Sequence, residues 1–312
     1  MAPPRNMGHI LGDLSVKAGL AELVAMTLFV FIGCGTATTF SSAQGPNGFL
    51  LHTNARTVGD VRTDLVFLSE NVLTNGNWGV TTALAFGFAI TVLAYATGHL
   101  SGGQINPAVT FGLVLAGELP LIQGIVNTAS QIVGAILGAT FVRCLLPDGR
   151  DSTLGTNALA PGVGQGNALT GEIIMTFTLV LVVMETVKNT RSTVANIAPL
   201  AIGFAVFTAH AVLLPIDGCS INPARWFGPA VVSGTWATTS WIFVVGPYLG
   251  AILAVPFHLF FKSEWDTGRK SGDPLNVAAG VDSISRPTSA AGSDSPKAGG
   301  EGPWMGRGAE PE

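Results

Sequence analysis

The sequence predicts an all-α membrane protein of six transmembrane helices and two re-entrant half-helices, arranged as an inverted repeat. Three observations carry that expectation. Only 11% of the 312 residues are charged, against about 25% in soluble domains. Six apolar stretches of spanning length follow one another. One short motif occurs twice, as Ser101-Gly102-Gly103-Gln104-Ile105-Asn106-Pro107-Ala108-Val109 and as Gly218-Cys219-Ser220-Ile221-Asn222-Pro223-Ala224-Arg225.

The elements follow in order. Residues 1–17 form a short polar lead with Arg5 and Lys17. The first span covers roughly 18–40. It contains Glu22 and is long, so it reads as a retained span and not a cleaved leader. A polar loop, 41–77, carries Arg56, Asp60, Arg62 and Asp64. The second span is about 78–98, the third 121–146, and a Gly- and Asn-rich loop, 147–166, comes next. The fourth span is about 167–187, followed by a short loop with Lys188 and Arg191. The fifth is about 195–214 and the sixth about 238–261. Residues 18–261 are thus one channel-like domain, with halves 18–146 and 167–261. Residues 262–312 lack an apolar period and read as a disordered tail. Within the tail, Arg286-Pro287-Thr288-Ser289 and Ser295-Pro296-Lys297 are either kinase targets or inert.

The half-helices follow from their first residues. Asn suits the N-cap, where its side chain satisfies an orphan backbone N–H, and Pro suits the first helical position. Each helix then runs ten residues, 107–116 and 223–232. That is roughly 15 Å, about half of a ~30 Å hydrocarbon core. A single Asn-Pro-Ala is usually an ordinary helix start. Two copies flanked by apolar spans predict two half-helices that meet near the midplane with their positive ends facing.

The halves repeat. Ala85-Phe86-Gly87-Phe88-Ala89-Ile90 matches Ala201-Ile202-Gly203-Phe204-Ala205-Val206, Gly134-Ala135-Ile136-Leu137 matches Gly250-Ala251-Ile252-Leu253, and Asn106 matches Asn222, all 116 residues apart. Ala21-Glu22-Leu23 matches Gly171-Glu172-Ile173 at a spacing of 150. A half with three spans must invert its copy across the membrane. Six spans put both termini on one side. That side holds Arg5, Lys17, Lys188, Arg191, Lys262, Arg269 and Lys270, against Arg56, Arg62, Arg143 and Arg150 on the other, which places the termini in the cytosol. The 40 glycines suit close helix contact. No Lys/Arg cluster points to nucleic acid. Cys34, Cys144 and Cys219 form neither a disulfide framework nor a metal spacing, and no cofactor is expected. Glu22 and Glu172 have no nucleophile, metal or cofactor spacing beside them, so the chain does not read as an enzyme.

At these residues the sequence resembles the aquaporins, the major intrinsic protein family. It is similar to the water-selective branch, and Ala198-Pro199-Leu200-Ala201-Ile202-Gly203-Phe204-Ala205-Val206 resembles plant plasma-membrane members. The resemblance covers about 18–261, with both Asn-Pro-Ala motifs and Gly98-His99-Leu100-Ser101-Gly102. It implies a homotetramer in the lipid bilayer of the plasma membrane, with one water pore per subunit.

What the resemblance implies for single residues follows. Asn106, Pro107, Ala108, Asn222, Pro223 and Ala224 set the pore centre, where a water accepts from both asparagines and cannot readily relay a proton. Phe86, His210, Cys219 and Arg225 form the outer selectivity filter, with Phe86 as an apolar wall and His210 and Arg225 as donors. A bulky His210 narrows the filter against glycerol. Cys219 at the pore mouth implies mercurial block. Glu22 and Glu172 hold the re-entrant loops, with His99 beside them. This chain departs from many water channels in carrying Trp226 where Ser follows the filter Arg, Gln104 where His precedes the first motif, and Phe243-Val244 for a Phe-Trp pair. Two other readings stand beside water transport. A glycerol, urea or ammonia channel would more often carry a small residue at 210 and Asp after the Arg. A junctional scaffold with a vestigial pore would need neither the asparagines nor the filter.

Overall fold

The computed structural model describes residues 14–42, 61–146, 153–189 and 192–262, and the side chains of 40–42 and 61–78 fall outside that description. The expectations placed on the polar lead before 14, on Arg56 and Asp60, on Arg150, on Arg191 and on the tail beyond 262 lie outside the described residues. Among those described, the helices are α1 (Val16–Ser42), α2 (Val61–Ser101), α3 (Pro107–Leu115), α4 (Leu121–Leu145), α5 (Gln165–Val183), α6 (Ala198–Asp217), α7 (Pro223–Ser233) and α8 (Ile242–Lys262). A π-helical turn, Met184–Lys188, extends α5, and a 3-10 turn, Ala195–Ile197, leads into α6. Six helices are long and apolar enough to cross a membrane: α1, α2 from Gly79, α4, α5 with its π turn, α6 with its lead, and α8. The half-helices α3 and α7 have 9 and 11 residues.

One boundary differs from expectation. The segment 41–77, expected as a loop, is helical from Val61 onward, so α2 begins well before Trp78. The reason is readable: Val61, Leu65, Leu68 and Val72 recur at helical spacing with no proline among them. Their polar neighbours lower the hydropathy without breaking the helix. At the other extreme, α6 runs on past Pro215 to Asp217 and closes at Gly218, whose φ of 82° lets its N–H bond back to the Leu214 carbonyl.

Every major contact in one half has its counterpart in the other. Helix α1 packs on α4 as α5 packs on α8, α1 on α2 as α5 on α6, and α4 on α7 as α8 on α3. Helices α2 and α6 pack on each other. Lipid supplies no hydrophobic drive between helices, so close van der Waals approach must hold the bundle. Gly134 and Gly250 provide it, since a β-carbon there would stand 2.4 Å from the Leu23 carbonyl oxygen and 2.5 Å from that of Ile173. Ser15 N–H donates to Gln123, and Lys262 pairs with Glu118. The start of α1 and the end of α8 therefore lie on one face, beside the start of α4.

Candidate functional site

The two motif asparagines cap α3 and α7 and hold each other's loops. Asn106 Oδ1 accepts from Ala108 N–H at 2.8 Å, and Asn222 Oδ1 accepts from Ala224 and Arg225 N–H at 3.1 and 3.2 Å. Across the repeat, Asn106 Nδ2 donates to the Ile221 carbonyl at 2.7 Å, and Asn222 Nδ2 donates to the Ile105 carbonyl at 2.8 Å. An amide nitrogen has two N–H groups, so each asparagine keeps one for a ligand. Ile105 and Ile221 have φ of 50° and 45°, a region β-branched residues rarely enter. Both asparagines line a narrow cavity whose walls include Ile90, Val109, Val183 and Val206.

Two buried carboxylates hold the loops in that shape. Glu22 Oε1 accepts from Gln104 N–H at 2.9 Å and from Ser101 Oγ at 2.6 Å, and Oε2 accepts from Ile105 N–H at 2.7 Å and Gln131 Nε2 at 2.7 Å. Glu172 accepts from Ser220 N–H on one oxygen and Ile221 N–H on the other, both at 2.6 Å. Neither side chain has any exposed surface. A carboxylate so deep is tolerable only because several donors replace its hydration. His99 lies elsewhere than expected: it is exposed in the last turn of α2, and Ser101, two residues on, is the group that reaches Glu22.

Beyond the asparagines, Phe86, His210 and Arg225 come together. The Phe86 and His210 rings stack with centroids 4.1 Å apart, and the Arg225 guanidinium carbon stands 4.9 Å from the Phe86 centroid. Arg225 Nη1 donates to the Gly155 carbonyl and to Asn157 Oδ1, each at 2.6 Å, and Nη2 donates to the Gly218 carbonyl at 3.2 Å. Its Nε has no protein partner, nor has His210 Nε2. His210 Nδ1 lies 2.9 Å from the Val206 carbonyl. A carbonyl only accepts, so Nδ1 carries a proton, and in the neutral ring Nε2 is left as an acceptor. This corrects the expectation that both residues donate: Arg225 donates, and neutral His210 accepts. Cys219 has φ of 52°, its N–H donates to Asp217 Oδ1 at 2.9 Å, and its free thiol is wholly buried in the same core cluster as Phe86.

Comparison with known proteins decides the family. Residues 12–258 match the model of the family described as "Major intrinsic protein". The chain belongs to the major intrinsic protein family. It is 38% identical over 244 residues to "Aquaporin-1" of Bos taurus, covering 78% of this chain and 81% of that protein. It is 37% identical to "Aquaporin-1" of Homo sapiens over the same length and shares. The fold is that of the "aquaglyceroporin from Plasmodium falciparum", with a TM-score of 0.58, 19% identity, and coverage of 80% of this chain and 96% of that one. As a major intrinsic protein the chain is a multi-pass membrane channel and not an enzyme.

Several groups at this family member's site were not singled out from sequence. Asn157 and Gly155 grip Arg225 from a loop noted only as rich in Gly and Asn. A buried guanidinium needs carbonyl and amide acceptors, and that loop was the richest nearby source. Ser101 and Gln131 grip Glu22. The doubled motif contained Ser101, but nothing in the spacing said which way its hydroxyl points.

Proposed function

We propose that this channel conducts water passively and in both directions down an osmotic gradient, and excludes protons and ions. The observation that carries this reading is the pair of buried, unpartnered atoms beside the stacked rings, Arg225 Nε as donor and His210 Nε2 as acceptor. Together they match the two faces of one water molecule. The His210 ring stacked on Phe86 supports a filter too narrow for a carbon chain such as glycerol's. Asn106 and Asn222 offer one amide N–H each at the helix N-termini, so a central water accepts from both and cannot pass a proton on. The same positive helix ends and the fixed Arg225 charge oppose cations.

The filter is therefore Phe86, His210, Cys219 and Arg225, the pore centre is Asn106 and Asn222, and Glu22 and Glu172 support the loops. The assembly is a homotetramer in the plasma membrane, with one pore per subunit and both termini in the cytosol. Apolar side chains exposed on α2 and α6, such as Phe88, Val92 and Phe204, suit lipid or a neighbouring subunit.

The test is stopped-flow shrinkage of proteoliposomes, with sucrose and then glycerol as osmolyte. The expected result is shrinkage much faster than in empty liposomes, with no glycerol re-entry. Re-swelling in glycerol at a comparable rate would overturn the selectivity. Water flux equal to that of empty liposomes, from a folded protein, would overturn the channel reading.

A further inference from the structure

The main-chain bonds that hold the two re-entrant loops to their glutamates repeat under the 116-residue shift. Gln104 N–H and Ile105 N–H bind the two oxygens of Glu22 as Ser220 N–H and Ile221 N–H bind those of Glu172. Gly103 N–H donates to Ser101 Oγ at 3.0 Å, and its counterpart Cys219 N–H donates to Asp217 Oδ1 at 2.9 Å. Even the unusual backbone repeats: φ is 91°, 58° and 50° at Gly102, Gly103 and Ile105, and 82°, 52° and 45° at Gly218, Cys219 and Ile221. Position 217 is thus the equivalent of position 101. In the first loop the Ser101 hydroxyl donates to the glutamate at 2.6 Å. In the second, a carboxyl takes that hydroxyl's place.

A carboxylate cannot donate. Asp217 is 1% exposed, and its Oδ2 has no hydrogen-bond partner. Glu172 has no exposed surface and lies within electrostatic range of Asp217. Two ionised carboxylates that interact in a water-poor core repel, and each also loses its hydration. We propose that Asp217 and Glu172 share one proton, so that Asp217 donates to Glu172 as Ser101 donates to Glu22 and acts as a positioning residue for the second re-entrant loop.

The charge balance agrees. Arg225 on α7 interacts electrostatically with both acids. One shared proton leaves the dyad with a single negative charge, which the guanidinium neutralises. The other groups facing the dyad among the described residues are the Cys219 thiol in the loop and the Asn157 amide, whose Nδ2 donates to the Asp217 carbonyl. On helix α8, Gly246 lies against the Glu172 stem, where a β-carbon would stand 2.7 Å from Glu172 Cβ. The dyad holds the segment that supplies Asn222 and the Gly218 carbonyl bonded to Arg225. Loss of the shared proton splits that segment from α5 and disturbs both pore stations.

Infrared spectroscopy of the full-length protein in lipid tests the proton directly. The expected result is a protonated-carboxyl C=O band at neutral pH that shifts in D2O and is absent from Asp217→Asn and Asp217→Ser. No such band in the wild type, or a band retained in both variants, overturns the proposal. The positioning role rests on the water-channel reading and is tested by flux. Water permeability of the wild type is expected to fall several-fold over the alkaline range in which the band titrates away. Asp217→Ser, the repeat's own solution, is expected to keep neutral-pH permeability and show no fall. A band that titrates away with no change in flux overturns the positioning role. The infrared result stands even if the channel carries a solute other than water, so the two readings fail separately.

Discussion

Replacing Glu22 by Gln tests how much the first re-entrant loop depends on one carboxylate. The change is isosteric, so packing is kept and only the donor–acceptor pattern alters. Glu22 accepts four hydrogen bonds, two on each oxygen. A glutamine keeps one acceptor oxygen and turns a donor NH2 toward the other pair. If the amide faces Ile105 N–H and Gln131 Nε2, both lose their acceptor. If it faces the other way, Gln104 N–H loses its acceptor, although Ser101 Oγ can turn to accept. Hydrogen bonds to charged groups are each worth about 1.5–3 kcal/mol, so the better orientation, with one bond lost, costs about 1.5–3 kcal/mol. A shift of that size lowers Tm by on the order of 5 °C. The assay is thermal unfolding of Glu22→Gln in detergent, paired with water flux in proteoliposomes, where a large loss is expected because Asn106 and the Ile105 carbonyl ride on the same loop. A melting temperature within about 2 °C of wild type, with normal flux, would refute the reasoning that this carboxylate fixes the loop.

Three further outcomes are expected. His210→Ala removes the ring stacked on Phe86 and should admit glycerol, read as re-swelling in the glycerol assay, while water flux persists. Mercurial block should persist in Cys144→Ser, since Cys144 sits exposed on α4, and disappear in Cys219→Ser. Its onset should be slow, because the Cys219 thiol is wholly buried. Gly203→Ala should destabilise the bundle by about 1–3 kcal/mol through overpacking, since its β-carbon would stand 1.8 Å from Thr91 Oγ1 and 2.6 Å from the Gly87 carbonyl; unchanged unfolding would contradict it.

What could be read from sequence was whatever the repeat wrote twice or hydropathy marked. Asn106 and Asn222 were legible because Asn-Pro is a cap signal and the pair recurs at a fixed spacing. The spans α1, α4 and α8 were legible because apolar length alone defines them. The early start of α2 was missed because its first turns are polar enough to look like a loop, and hydropathy outweighed the helical spacing of Val61, Leu65 and Leu68. The hold on Arg225 was missed because Asn157 and Gly155 come from an irregular loop, where no period says which residue turns inward. The donor role given to His210 was wrong in its neutral form because a tautomer depends on the Val206 carbonyl one turn back, which no motif encodes.

The departures at Gln104, Trp226 and Val244 have one explanation once the halves are compared. Behind α3 the space is filled by a chain of buried amides: Gln123 Nε2 donates to Asn127, Asn127 Nδ2 donates to Gln104, and Gln131 Nε2 donates to both Thr110 and Glu22, at 2.7 to 3.0 Å. Behind α7 the equivalent positions, 116 residues on, hold Trp226 for Thr110, Phe243 for Asn127 and Pro247 for Gln131. There the space is filled by rings, with Trp226 5.7 Å from Trp236 and 6.4 Å from Phe243 between centroids. Val244 is only partly buried and packs against that cluster, so the bulk a second span-six aromatic would supply comes from the half-helix itself. The amide chain gives α3 directional bonds that fix its rotation. The aromatic cluster gives α7 area without direction, and leaves Trp226 Nε1 buried and unpartnered. Rotation of α7 must then be fixed by the polar groups of its first turn and loop, Asn222, Arg225 and the Glu172–Asp217 pair. That is the half of the channel in which a single proton has the most structure to hold.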